Sequence, residues 1–271
     1  MRGGYVKEII TMWKYNTMVA LTVLSAGIYM LFLLPFKAIP IIPGFTEIRP
    51  ATIFPVIFGL LFGPAGAWGA AIGNLAGDCF GTLSIGSIFG FIGNFFFAYI
   101  PYKLWGKLRL GFSKDRSPTI NSTWKLVEFG IVSVIASISC AVIIAWGIDM
   151  LKLVPFVRLA EIISLNNIVV NLLFGPILLP IAYRLVKKAG ILWTDIMHVS
   201  DISRPNPERI YPFMIFAGSI GGLFFGIVLS FIFTGSSLFG IEPVADGAGN
   251  MCVAVGVLPF LVVLVHGTLH T

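Results

Sequence analysis

The sequence predicts an all-α integral membrane protein of about eight transmembrane helices, with a six-helix core and a C-terminal two-helix hairpin. Three observations carry that reading. The 271 residues are 57% hydrophobic and 11% charged, less than half the ~25% charge of a soluble domain. Apolar runs at 16–36, 124–148, 164–184, 212–234 and 250–270 are each long enough to cross a hydrocarbon layer of about 30 Å. None of them shows the two-residue alternation of a barrel strand. Basic residues also gather on one side when the runs are threaded through a bilayer. The composition excludes a soluble enzyme, a nucleic-acid binder and a disordered chain.

The elements follow in order. Arg2, Lys7 and Lys14 precede the first span. That span is too long for a signal-peptide core and has no small-residue cleavage site after it, so it is read as a retained helix. From Pro50 to Tyr102 the only charge is Asp78. Gly63-Pro64-Ala65-Gly66 and Gly77-Asp78-Cys79-Phe80-Gly81 are turn signals, and they cut this stretch into short spans at 51–62, 66–80 and 85–105. The fifth and sixth spans follow at 124–148 and 164–184. A polar segment, 185–211, holds Arg204-Pro-Asn-Pro-Glu-Arg209 and leads into the hairpin. The domains expected are 1–190, a substrate-binding membrane core, and 191–271, a linker with the additional hairpin. With eight spans, both termini and 14 of the 18 basic residues lie inside. Lys37, Arg49, Lys152 and Arg158 lie outside. With two spans in the 50–105 stretch instead of three, the N-terminal charges change sides and the bias weakens.

Polar groups at membrane depth are costly, so they mark functional candidates. Asn74 and Asp78 are one helical turn apart on the third span, as are Asn167 and Asn171 on the sixth. Asn166 stands beside them and Asn94 lies nearer the midplane of the fourth span. Trp146 flanks the outer end of the fifth. These residues form a candidate outward-facing pocket for a small polar or amphipathic ligand, with amides that both donate and accept. Glu47 and Arg49, just before the second span, form a candidate outer gate. The competing roles are helix bridging by the Asn side chains, turn capping by Asp78, and an aromatic-belt anchor for Trp146. Ala67-x-x-x-Ala71 and Gly69-x-x-x-Gly73 make a flat face on the third span. Such a face serves internal packing or, through Ala67, Ala71 and Gly73, the docking of a partner.

Cys79, Cys140 and Cys252 are widely spaced in apolar surroundings and read as small buried residues. His266 and His270 have metal-pair spacing but no further ligand near them in sequence, so no metal and no cofactor is expected. There is no Walker lysine motif, no HExxH and no Gly-x-Ser-x-Gly, and the chain is read as a non-enzyme. A stand-alone secondary transporter or channel is the rival reading. It would use Asp78, the one ionisable group in the apolar stretch, for ion coupling.

The stretch from Glu47 and Arg49 through Pro50, Pro55, the Gly63-Pro64 turn and the Gly/Ala-rich run to Asp78 resembles the substrate-binding S components of energy-coupling factor transporters. Within these it looks most like the queuosine-precursor type. Asn171-Leu-Leu-Phe-Gly-Pro-Ile-Leu-Leu-Pro180 with Arg184, Lys187 and Lys188 is similar to that family's last core helix. The resemblance covers about residues 15–190. It implies a six-helix membrane protein in the cell membrane that captures a vitamin-like or nucleobase-like compound from outside. It also implies partners: a transmembrane coupling subunit and two cytoplasmic ATPases that drive release. Family members dock through Ala-x-x-x-Ala faces on helices one and three. Ala67 and Ala71 fit the second of these, whereas helix one offers Ala20, Thr22 and Ala26 without the motif. The hairpin lies outside the six-helix plan.

Overall fold

A computed structural model describes residues 6–38, 40–42, 46–47, 49–108, 116–203, 208–233 and 251–271, with backbone alone for 37–38, 40–42 and 46–47. A one-turn helix, α1 (Lys7–Thr11), leads through a 3-10 turn into α2 (Asn16–Leu33). Between α2 and the next helix, Pro40–Ile42 and Thr46–Glu47 pair as a short antiparallel ribbon, a feature that hydropathy does not reveal. The long apolar stretch then splits at the anticipated turns. It gives α3 (Ile53–Phe62), α4 (Pro64–Asp78) and α5 (Ser87–Leu104). Gly63, with φ of 56°, reverses the chain, and Pro64 opens α4 at a position where its missing N–H costs nothing.

α6 (Thr123–Met150) starts at Ser122, whose Oγ accepts a 3.3 Å hydrogen bond from Lys125 N. α7 (Phe156–Ala189) begins a full two turns before the apolar run that predicted it. It ends at Gly190 in the left-handed region, with Lys187 and Lys188 in its last turn, where cations oppose the helix dipole. The short α8 (Trp193–Ile196) follows, then α9 (Ile210–Phe233) and α10 (Met251–His270). α2, α6, α7, α9 and α10 are long and apolar enough to span a membrane. At about 1.5 Å per residue, α3 and α4 fall short of a full crossing. They are enclosed by the others: Val56, Ala65, Ala67, Ala70 and Ala71 are fully buried.

The small-residue face of α4 is therefore used inside the chain. A Cβ added at Gly73 would lie 2.7 Å from the Ala26 carbonyl of α2, so only glycine lets the two backbones come this close. Ala67, Ala71 and Gly73 are all buried, which corrects their expected role as an open docking face. The physical reason is that α4 is short and carries Asn74 and Asp78, so it packs among α2, α3 and α5. Gly69 and Gly73 lie against α2, and Gly66 lies against Phe58 of α3.

α9 and α10 form an antiparallel pair that packs along α6. Ser139 and Ser219 share a 2.7 Å hydrogen bond, and Trp146 Nε1 donates to the Ala254 carbonyl at 2.9 Å. Val157 N of α7 donates to Ser230 Oγ at 3.2 Å. Buried hydroxyls pairing across helices are one of the few polar contacts that hold helices together in lipid. The hairpin is thus fastened to the core at three levels.

Candidate functional site

Two concentrations of buried polar groups stand out, one at each end of the bundle. The first is at the end where α4 terminates and α5 begins. Arg49 enters it from the residue before the Pro50–Thr52 turn. Its Nη1 donates to Asn74 Oδ1 at 3.2 Å. One turn along α4, Asn74 Nδ2 donates to Asp78 Oδ2 at 3.3 Å, and Thr82 Oγ1 donates to Asp78 Oδ1 at 3.0 Å. A pocket of about 40 Å³ lies here, lined by Arg49, Asn74, Asp78, Thr82, Ser84 and Ser87 among others. Gly90 forms part of its wall. A Cβ there would approach Asn74 Nδ2 to 2.9 Å.

A second pocket of about 10 Å³ lies on the other side of Arg49, against Tyr29, Thr52, Asn94, Cys140, Asn166 and Asn167. Asn94 Oδ1 accepts from Tyr29 OH at 2.8 Å, and its Nδ2 donates to the Gly90 carbonyl at 2.8 Å. Asn171 Nδ2 donates to the Asn167 carbonyl at 2.8 Å and to the Thr52 carbonyl at 3.2 Å. Its Oδ1 is buried with no hydrogen-bond partner among the described residues. Arg49 thus partitions one polar chamber into two. The remaining space is of a size to hold water.

Sequence reading therefore anticipated much of this chamber. Asn74, Asp78, Asn94, Asn166 and Asn167 line it, and Asn171 stands one turn below Asn167. Arg49, expected at the outer gate, sits within the chamber itself. Trp146 does not join it: its indole is spent on α10 and packs edge-on to Phe89. The Glu47 side chain lies outside the described residues. Tyr29, Thr52, Thr82, Ser84, Ser87, Gly90 and Cys140 were missed. Ser87, Gly90 and Asn94 share one face of α5 at helical spacing, a signal present in the sequence. Tyr29 and Asn94 are 65 residues apart, and no local pattern pairs them.

The second concentration is at the opposite end. Glu8 of α1 is buried against α5. Lys103 Nζ lies 3.0 Å from Glu8 Oε1, and Tyr99 OH donates to the same oxygen at 2.8 Å. Ser203 donates to Oε2 through its backbone N at 3.0 Å and through its hydroxyl. Burial pushes the Glu8 carboxyl up, but Lys103 and the Ser203 hydrogen bond outweigh that and hold it below its usual value. Alongside, Asp201 accepts from Tyr15 OH at 2.8 Å and lies 3.6 Å from Lys14 Nζ. Every oxygen of Glu8 is engaged, so this cluster ties the N-terminal segment to the linker and has no free capacity for a ligand. No group of three metal-ligating side chains occurs among the described residues. His266 and His270 stack on each other and on Tyr211 instead.

Comparison with known proteins identifies a family. A family model described as "QueT transporter" matches residues 19–184. That span runs from α2 into the last turns of α7 and contains every described residue of the chamber. α9 and α10 lie beyond it. No curated protein and no solved structure matches the chain.

Proposed function

From the premise that this chain belongs to the QueT transporter family, and so is a multi-pass membrane protein that transports a small substrate, we propose a more specific role. It is the substrate-capture subunit of an energy-coupling factor transporter in the cell membrane, with both termini cytoplasmic, and it takes a queuosine precursor from outside. The supporting observation is the buried chamber around Arg49, Asn74 and Asp78, where guanidinium, amide and carboxylate groups from separate elements converge. Polar and ionisable groups gathered at membrane depth are costly to bury, and such groups mark substrate pathways.

The chemistry follows from the side chains. The Asp78 carboxylate accepts from an N–H edge of a deazaguanine-type base, Asn74 and Asn167 offer both donors and acceptors, and Arg49 donates to a carbonyl oxygen. To admit the base, Arg49 swings off Asn74 and the two pockets merge. Release requires that affinity fall when the subunit engages its partners, since a ligand held equally in both states drives nothing. The partners are a transmembrane coupling subunit and two ATPases.

Uptake of radiolabelled 7-aminomethyl-7-deazaguanine into vesicles tests this reading. Accumulation is expected only when the coupling subunit and ATPases are co-reconstituted and ATP is inside the vesicle compartment that holds them. Uptake by the chain alone, driven by a proton or sodium gradient, would replace it with the stand-alone secondary transporter.

A further inference from the structure

A third polar feature adjoins the Glu8 cluster and shares Lys103 and Ser203 with it. At the end of the bundle that carries the Gly63-Pro64 turn, a cavity of about 320 Å³ opens between the ends of α3 and α5, the loop before α6, and the segment around α8. It is several times larger than the substrate chamber and falls near the lower bound of ordinary ligand pockets, about 300 Å³. Lys103, Lys107 and Arg116 line it, and among the described residues no Asp or Glu side chain does. The nearby carboxylates are already engaged: Glu8 by Lys103, Tyr99 and Ser203, and Glu128 by the Gly106 N–H at 2.9 Å. Lys107 Nζ donates to the Thr271 carbonyl oxygen. Burial, with repulsion from Lys103 and Arg116 and some relief from Glu8, pushes Lys107 down to about 7. An anion arriving beside it would restore its charge.

The rest of the wall is apolar and aromatic: Leu60, Tyr102, Trp105, Leu192, Trp193 and Ile202. Trp105 is already oriented by its indole N–H, which donates to the Ser117 carbonyl at 3.2 Å. Tyr102 and Trp193 meet edge to face with centroids 5.0 Å apart. Trp and Tyr at the end of a helical bundle mark the level of lipid headgroups, and basic pockets between helices at that level recognise phosphate.

We propose that this cavity is a binding site for the phosphate of an anionic phospholipid, with Lys107 and Arg116 holding the phosphate and the Trp105–Trp193 wall receiving the glycerol backbone and first acyl carbons. Lys103 contributes charge while remaining bonded to Glu8. A soluble phosphate compound shares the headgroup chemistry but makes no use of the apolar wall.

Native mass spectrometry of the full chain, delipidated in detergent and then exposed to phosphatidylglycerol or to phosphatidylcholine of the same acyl length, reads the proposal directly. Wild type is expected to retain phosphatidylglycerol at least tenfold better. The double substitution Lys107→Gln/Arg116→Gln removes that preference, while Lys187→Gln/Lys188→Gln, two basic residues of α7 outside the cavity, keeps it. Equal retention of the two lipids by wild type, or an unchanged preference in the Lys107/Arg116 variant, overturns the assignment. So does displacement of phosphatidylglycerol by millimolar inorganic phosphate, which would assign the site to a soluble anion. Because thermal unfolding is recorded for each variant, loss of binding through misfolding is seen as a lowered Tm and the single Arg116→Gln, at an exposed position, then decides.

Discussion

The two buried clusters at opposite ends of the bundle use the same chemistry to different ends. Each sets a carboxylate among cations and hydroxyls drawn from separate elements. Around Glu8 all acceptor capacity is used: Lys103, Tyr99 and Ser203 close on it. Around Asp78 the Asn74 amide donates at 3.3 Å and the Thr82 hydroxyl at 3.0 Å, and Asn171 Oδ1 nearby has no partner among the described residues. A saturated cluster stabilises a single arrangement. A buried acceptor left without a partner, such as Asn171 Oδ1, keeps hydrogen-bonding capacity in reserve, at a cost to stability. That difference is the basis for reading the Glu8 cluster as a clamp and the Asp78 cluster as the proposed binding site.

The comparison breaks most sharply at Lys103. Lys103→Met leaves Glu8 buried without its cation, and removing one partner of a buried pair costs about 3–5 kcal/mol. Thermal unfolding in detergent should show a large fall in Tm. Ligand affinity of the fraction that remains folded should hold. Next comes Asp78→Asn, which keeps the shape and removes the charge. A charge-assisted hydrogen bond contributes about 1.5–3 kcal/mol, so ligand affinity should drop roughly ten- to hundredfold, with a smaller Tm change than at Lys103. If Tm falls as far as for Lys103→Met, the two clusters are alike and the distinction fails.

Gly90→Ala sharpens the contrast. Its new methyl would press on Asn74, an overpacking that costs about 1–3 kcal/mol. Calorimetric titration should place the loss in ligand binding more than in Tm. Smaller still is Ser139→Ala, which removes the hydrogen bond to Ser219 between core and hairpin. Loss of about 1 kcal/mol should be visible in urea or thermal unfolding, with binding untouched.

Acidification tests the Glu8 cluster by itself. The Glu8 carboxyl is depressed on folding, so its contribution is present above the unfolded carboxylate value and is lost as pH falls through the folded one. Stability of wild type should decline below about pH 4.5. Glu8→Gln should lack that component of the decline, and Tm measured against pH shows which holds.

Much of this was legible in the sequence because membrane helices announce themselves by length and apolarity. The break at Gly63-Pro64, the end of α4 at Asp78 and the hairpin after the polar linker all appear where composition changes. Asn74, Asp78, Asn94 and Asn167 were found because polarity is rare at that depth. What stayed hidden depends on which helix faces which. Arg49 precedes its helix and reads as a loop charge, yet the Pro50–Thr52 turn folds it into the chamber. Trp146 has the position of a site residue, but α10 lies alongside it and takes its N–H. Ala67, Ala71 and Gly73 look like a docking face because a stripe of small residues does not say which helix covers it. Here the cover is internal. Lys103 and Glu8 are 95 residues apart and meet only because α1 folds back beneath α5.

The central claim is that the Arg49–Asn74–Asp78 chamber holds the transported compound. Equilibrium dialysis of radiolabelled 7-aminomethyl-7-deazaguanine against purified wild type and Asp78→Asn tests it most directly. Saturable binding at one site per chain, weakened at least tenfold in Asp78→Asn while Lys187→Gln binds as wild type, is the predicted result. Binding of equal strength in wild type and Asp78→Asn, with both folded, would place the substrate elsewhere and contradict the account.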